Sequence, residues 1–137
     1  MRINATTKEE FAEQFRNYLN QDKSRSLCNI VYKWKVENDI PRMKGESNIL
    51  YIGQTKRSLY DRYSDKGSFN IELTYFEQFY KYAIQEYGSL FIEILAVDDV
   101  KLEEYRELDH YRSMHCEYPP LNRAIPKKPK NKDSIHK

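Results

Sequence analysis

Cysteine is scarce in this 137-residue chain: Cys28 and Cys116 are the only two, and they stand at no zinc-like spacing. A disulfide scaffold or a cysteine-based metal site is therefore not expected. Long apolar runs are missing too. No stretch approaches the roughly 20 residues needed to span a bilayer, and no charged-then-apolar signal pattern is present. The expectation is a cytoplasmic protein with no membrane partner. Glycine is also rare, at four residues, so each one asks for a physical reason.

What is present is charge and aromatic surface: 32% of residues are charged and twelve are tyrosine. The length suits one domain that buries a small core without covalent staples. The net charge of +2 conceals an asymmetry. From Arg123 onward six Lys/Arg face only Asp133, a charge of +5, which leaves −3 on the rest of the chain. A mildly acidic body with a basic, proline-containing tail over 125–137 fits a flexible polyanion-binding arm, or a tail that only solubilises.

Periodicity gives the elements. Residues 7–20 predict an amphipathic helix, with Thr6/Glu9 and Thr7/Glu10 as overlapping capping boxes and Phe11, Phe15, Tyr18 and Leu19 on one face. "CNIVYKWKV" (28–36) alternates as a strand, 37–47 reads as a loop, and "NILYIG" (48–53) is a second strand, antiparallel to the first. Ser58 with Asp61 opens a helix near Leu59. Residues 71–87 carry apolar side chains at helical spacing and stop at Gly88. "SLFIEILAV" (89–97) is a third strand, 99–114 a last helix, and the prolines of "YPPLN" end it. The order α-β-β-α-α-β-α predicts an α/β (α+β) domain over 26–124, a small, mainly antiparallel three-stranded sheet flanked by helices. The helix of residues 1–25 precedes the domain or packs on it.

The densest signal is "LYIGQTKRSLYDRY" (50–63): a strand ending in Tyr-Ile-Gly, a polar turn, and Arg62 one turn into a helix. With the preceding strand "NIVYKWKV", the third strand, a Glu-bearing helix and "PPLN", it resembles the GIY-YIG nuclease family over residues 28–124. Tyr-Ile-Gly alone is weak; the ordered set carries the likeness. Ile30 stands where the family has its name-giving glycine. Lys66 falls where many relatives carry His or Tyr.

The resemblance implies metal-dependent hydrolysis of DNA phosphodiesters, on double-stranded DNA, with Mg²⁺ or Mn²⁺. Such chemistry needs a deprotonated water, charge stabilisation at the phosphoryl oxygens and help for the leaving alkoxide. Tyr32 is the implied base with Tyr51 as its neighbour, although either ring alone would read as packing. An unperturbed phenol is only about 0.1% ionised at neutral pH, so a nearby cation or proton acceptor is required. Arg62 would supply charge and a fork of donors for the phosphate. Gly53 would leave room for the turn or for a phosphate, or simply end the strand. On the last helix, Val100, Leu108, Tyr111 and Met114 share a sector about 120° wide, and Glu107 projects into it, with Glu104 as second choice. A carboxylate on an apolar face is costly unless it is paired or binds a cation, which makes Glu107 the expected metal ligand.

Asn122 either holds backbone or substrate near the site or closes an Asx-turn. His110 is a candidate proton acceptor or a solvated helix residue. Lys33, Lys35, Lys56, Arg57 and Lys66 are candidate phosphate contacts, with Lys127, Lys128 and Lys130 of the tail adding salt-sensitive affinity. A homodimer would let one small site cut both strands. The rival expectation is a non-catalytic nucleic-acid-binding module on the same fold; a third is a nuclease acting on RNA.

Overall fold

The structure, a computed structural model, describes residues 2–64, 74–123 and 127–129. Lys66, Lys130 and the start of the helix expected at residue 71 lie outside the described residues. The elements in chain order are α1 (Lys8–Leu19), α2 (Asp22–Ser26), β1 (Ile30–Pro41), β2 (Glu46–Thr55), α3 (Leu59–Ser64) and α4 (Thr74–Gln78). A π-helical turn (Phe79–Ala83) leads on into α5 (Ile84–Tyr87), β3 (Leu90–Ala96) and α6 (Val100–His115). The sheet is antiparallel, in the order β2-β1-β3. The α+β architecture read from periodicity is the one observed.

Local signals explain most boundaries. Thr7 caps α1 by accepting from the Glu10 N–H at 3.2 Å, and its hydroxyl donates to the Glu10 carboxylate at 3.0 Å. Ser58 caps α3 through the Asp61 N–H at 3.1 Å, and Asp99 caps α6 through the Leu102 N–H, also at 3.1 Å. Gly88, at φ +94°, stops α5 in a conformation that side chains resist. The short α2 has the sequence DKSRS, which carries no apolar periodicity to announce it.

Residues 37–47 are not a free loop. β1 runs on to Pro41 and β2 begins at Glu46, with a turn closed by the Arg42 N–H donating to Gly45 O at 2.9 Å. The register slips between Lys35↔Ile49 and Ile40↔Ser47, so the strand pair absorbs extra residues on the β1 side as an irregularity. Pro41 is tolerated because it stands at the strand end.

Alternation along β1 separates two layers. Ile30, Tyr32, Trp34 and Val36 face an aromatic core completed by Phe11 and Phe15 of α1 and by Phe76 and Phe79. Trp34 stacks on Phe79 with centroids 4.6 Å apart and meets Phe15 edge-on at 5.2 Å. Ile3 bridges Leu90, so the N-terminal segment joins the sheet as well as its core. On the other face, Val31 and Ile52 pack against Leu108 and Tyr111 of α6, which lies mainly against the edge strand β2. Among the described residues, no helix is long and apolar enough to cross a membrane.

Candidate active site

Tyr32 stands opposite Gly53, and Trp34 opposite Tyr51, so the two tyrosines share one face of the β1–β2 pair. Their ring centroids are 6.1 Å apart. A Cβ on Gly53 would sit 2.6 Å from Tyr51 Cε1, 2.7 Å from Tyr32 Cζ and 2.8 Å from the Tyr32 hydroxyl. The glycine is therefore the floor on which both rings lie. That is a different reason from the expected clearance for a turn or a phosphate, and it belongs to the tyrosines themselves.

α3 brings the rest from above. Leu59 anchors its inner face, and one turn on, Arg62 and Tyr63 reach the pair. Tyr63, Tyr51 and Arg62 all act on the Tyr32 phenol, which makes it the hub of the group. Tyr63 meets Tyr32 edge-on at 5.9 Å, and its oxygen accepts from Trp34 Nε1–H at 2.9 Å. Sequence reasoning passed over Tyr63. Its position immediately after Arg62 was visible, but twelve tyrosines gave no means of choosing it.

The electrostatics follow from enclosure. Burial pushes the Tyr32 phenol well above its ordinary pKa, with further upward contributions from Tyr63 and Tyr51, and Arg62 opposes them only in part. Tyr51 is also raised, by burial first and then by the negative charge of Glu104; Arg62 and the hydrogen bond with Tyr32 pull the other way. Burial works against the Arg62 charge, but the tyrosine oxygens outweigh it, and the guanidinium is held protonated more firmly than usual. The outer side of Arg62 is exposed, so its remaining donors face solvent.

Of the two carboxylates on the inner sector of α6, the one whose charge reaches Tyr51 is Glu104. It is half-buried, its pKa is raised by burial, and among the described residues no cation or hydrogen-bond donor is paired with it. Glu107, the expected metal ligand, is placed elsewhere. Its carboxylate is held by Lys33 Nζ at 2.8 Å. Lys33 follows Tyr32 in β1 and so projects from the opposite face of the sheet. The two glutamates differ by about 60° on the helix, enough to separate a partner on β1 from one across the β2 edge.

The same alternation corrects Lys33 and Lys35 as phosphate contacts beside the tyrosines. Both lie on the far face, where Lys35 is bound to Glu93 at 2.8 Å and lowers that carboxyl's pKa. Lys56 and Arg57 are exposed in the turn entering α3. Lys56 also lines an open cleft of about 580 Å³ with Asn29, Asp98, Asp99, Val100, Lys101 and Pro129. Lys127 and Lys128 are exposed. His110 is exposed on α6, and the contact made by its residue is a backbone one, its carbonyl accepting from Ser113 Oγ at 2.9 Å.

Asn122 is joined to the site through backbone. Its Oδ1 accepts from the Ile52 N–H at 3.0 Å and its Nδ2 donates to the Ile52 carbonyl at 2.9 Å. The side chain thus acts as a one-residue strand on the open edge of β2, between Tyr51 and Gly53. Replacing it with alanine leaves both Ile52 groups without partners, a loss of about 1–3 kcal/mol. Urea unfolding of Asn122→Ala should show the midpoint falling with the m-value unchanged.

Among the described residues no three His, Cys, Asp or Glu side chains gather around a common point. The donor set on offer to a cation is thus a single carboxylate with open surroundings. Comparison of the chain with protein-family profiles, with characterised proteins and with solved structures returns no match.

Proposed function

We propose that the chain is a metal-dependent endonuclease that hydrolyses DNA phosphodiesters, acting at the tyrosine–arginine group in the manner of the GIY-YIG nucleases it resembles. The observation that carries this reading is Glu104, a half-buried carboxylate without a cationic partner among the described residues, whose charge reaches Tyr51. Such a group is costly unless it serves a cation.

One carboxylate, completed by water and phosphate oxygens, suits Mg²⁺ or Mn²⁺ rather than a fully enclosed ion. When bound, the ion would supply Lewis-acid stabilisation of phosphoryl charge. The chain's own residues do the rest. Arg62, fixed from behind by Tyr32, presents its free donors to a phosphate oxygen. Tyr32 is only 1% exposed and enclosed by Gly53, Tyr51, Tyr63 and Arg62, so in this arrangement it cannot itself touch an attacking water. Tyr51, half-buried, is the phenol with access, and Tyr32 and Arg62 both favour its ionised form. Burial and then Glu104 disfavour that form, and neutralising Glu104 removes the part of the opposition that comes from charge. Asn122 keeps the Tyr51–Gly53 backbone in register.

Arg62→Ala should lower Mg²⁺-dependent nicking of supercoiled plasmid about a hundredfold, the scale for losing one preorganised charge donor. Nicking at the wild-type rate by a folded Arg62→Ala protein would remove the phosphate from this site. The second reading, a binding module without chemistry, draws on the upward shift of both Tyr32 and Tyr51. Plasmid incubated with the wild-type protein in Mg²⁺ and in EDTA separates the two, since a module retards the DNA in both and cuts it in neither. The same assay on RNA decides the polymer.

A further inference from the structure

We infer that Tyr63 is a positioning residue for the candidate active site: anchored by its hydroxyl to Trp34 and set edge-on against Tyr32, it ties the orientation of Tyr32 to the aromatic core and to α1. This rests on the endonuclease reading for its effect on rate, but not for its effect on Tyr32.

Trp34 Nε1–H can only donate, so the 2.9 Å contact makes the Tyr63 oxygen an acceptor and fixes its position to a fully buried indole. The ring is gripped on two further sides, by Phe15 of α1 at 5.2 Å and by Phe76 at 5.9 Å. Phe15 touches Trp34 at the same 5.2 Å, so one α1 side chain buttresses both partners of the hydrogen bond. What emerges from this packing is a ring held edge-on against Tyr32 at 5.9 Å, and Tyr63 favours Tyr32 keeping its proton.

Arg62 alone does not do this work. It meets Tyr32 from the exposed side, with its guanidinium over the Tyr63 ring at 5.5 Å. Tyr63 is enclosed by Trp34, Phe15 and Phe76. Tyr32 thus has a packed partner on the core side and a charged partner on the solvent side. The helix of residues 8–19, which lies outside the stretch that resembles a nuclease, becomes part of the machinery through Phe15.

The test is Tyr63→Phe, which keeps the ring and removes the hydroxyl. With tyrosine labelled at Cζ with ¹³C, the Tyr32 resonance should titrate at lower pH in the variant than in wild type, because an upward contribution from Tyr63 is gone. In the nicking assay kcat should fall about tenfold to a hundredfold with KM for plasmid within twofold, and the alkaline limb of the pH–rate profile should move down with Tyr32. The variant orphans the buried Trp34 N–H. If it does not fold, Trp34→Phe/Tyr63→Phe removes donor and acceptor together and the same titration reads Tyr32 there. An unmoved Tyr32 titration in a folded variant overturns the inference. A wild-type protein that never cuts, with Tyr32 moving as expected, defeats the nuclease reading and leaves the positioning role intact.

Discussion

Glu104→Gln is expected to abolish Mg²⁺-dependent nicking, by at least about a thousandfold, while Glu107→Gln keeps most of it. A thousandfold corresponds to about 4 kcal/mol of transition-state stabilisation, a loss in keeping with removal of the only protein ligand to a catalytic cation. Glutamine preserves the shape and the half-buried packing of the side chain but no longer offers a charge. Glu107→Gln instead breaks the 2.8 Å pair with Lys33 on the far side of the sheet, costing on the order of 1 kcal/mol of stability with the site untouched. The two variants make the same chemical change about one helical turn apart, so their contrast isolates position from composition.

pH sharpens the comparison. Burial raises the Glu104 pKa, so a proton competes with the cation for this carboxylate at a higher pH than it would for an exposed one. In wild type, the acid limb of activity should therefore fall off above the ordinary carboxylate range, and higher Mg²⁺ should push it back down. Glu107→Gln should leave that limb where it is. Wild-type rates from Glu104→Gln, together with an inactive Glu107→Gln, would falsify the assignment and return the cation to the β1 side.

The limits of sequence reading at this site are specific. Tyr32, Tyr51 and Arg62 stand out because they occupy a strand, its partner and the following helix at family-like spacing, and the fold brings the three together. The choice between Glu104 and Glu107 could not be made that way. Both fall within the inward sector of α6, and the decision rests on where the helix axis lies across β2, a tertiary fact with no local signature. The face that Lys33 and Lys35 occupy was legible. A strand period of two already places them opposite Tyr32. Tyr63 was hidden by abundance, since one tyrosine among twelve carries little information without a partner, and its partner is an indole 29 residues away. The continuous hairpin through 37–47 was masked because Pro41 and Gly45 are strong turn signals wherever they stand, including at the end of an irregular ladder.

Gly53 is where fold and proposed chemistry meet, and Gly53→Ala is expected to damage both. Its backbone lies in the ordinary strand region; among the described glycines, positive φ is confined to Gly45 and Gly88. Alanine is therefore conformationally acceptable at 53, and any penalty must come from contact. The added methyl would sit 2.6–2.8 Å from atoms of Tyr51 and Tyr32. Neither ring can swing aside cheaply: Tyr32 is buried with the rings of Tyr51 and Tyr63 against it, and Tyr51 is packed against the same core. Overpacking of this kind costs about 1–3 kcal/mol, and two displaced rings place it at the upper end. Thermal unfolding should show a fall of roughly 10 °C, and nicking should be lost even well below the new midpoint, because tilting either ring displaces the tyrosine oxygens that act on Arg62. Gly45→Ala is the matched control. There the added Cβ meets only His115, at 3.7 Å, and the cost is the φ of +71°. That variant should lose stability through the turn yet keep its activity. Equal activity in the two alanine variants would mean that the rings over Gly53 are packing and nothing more.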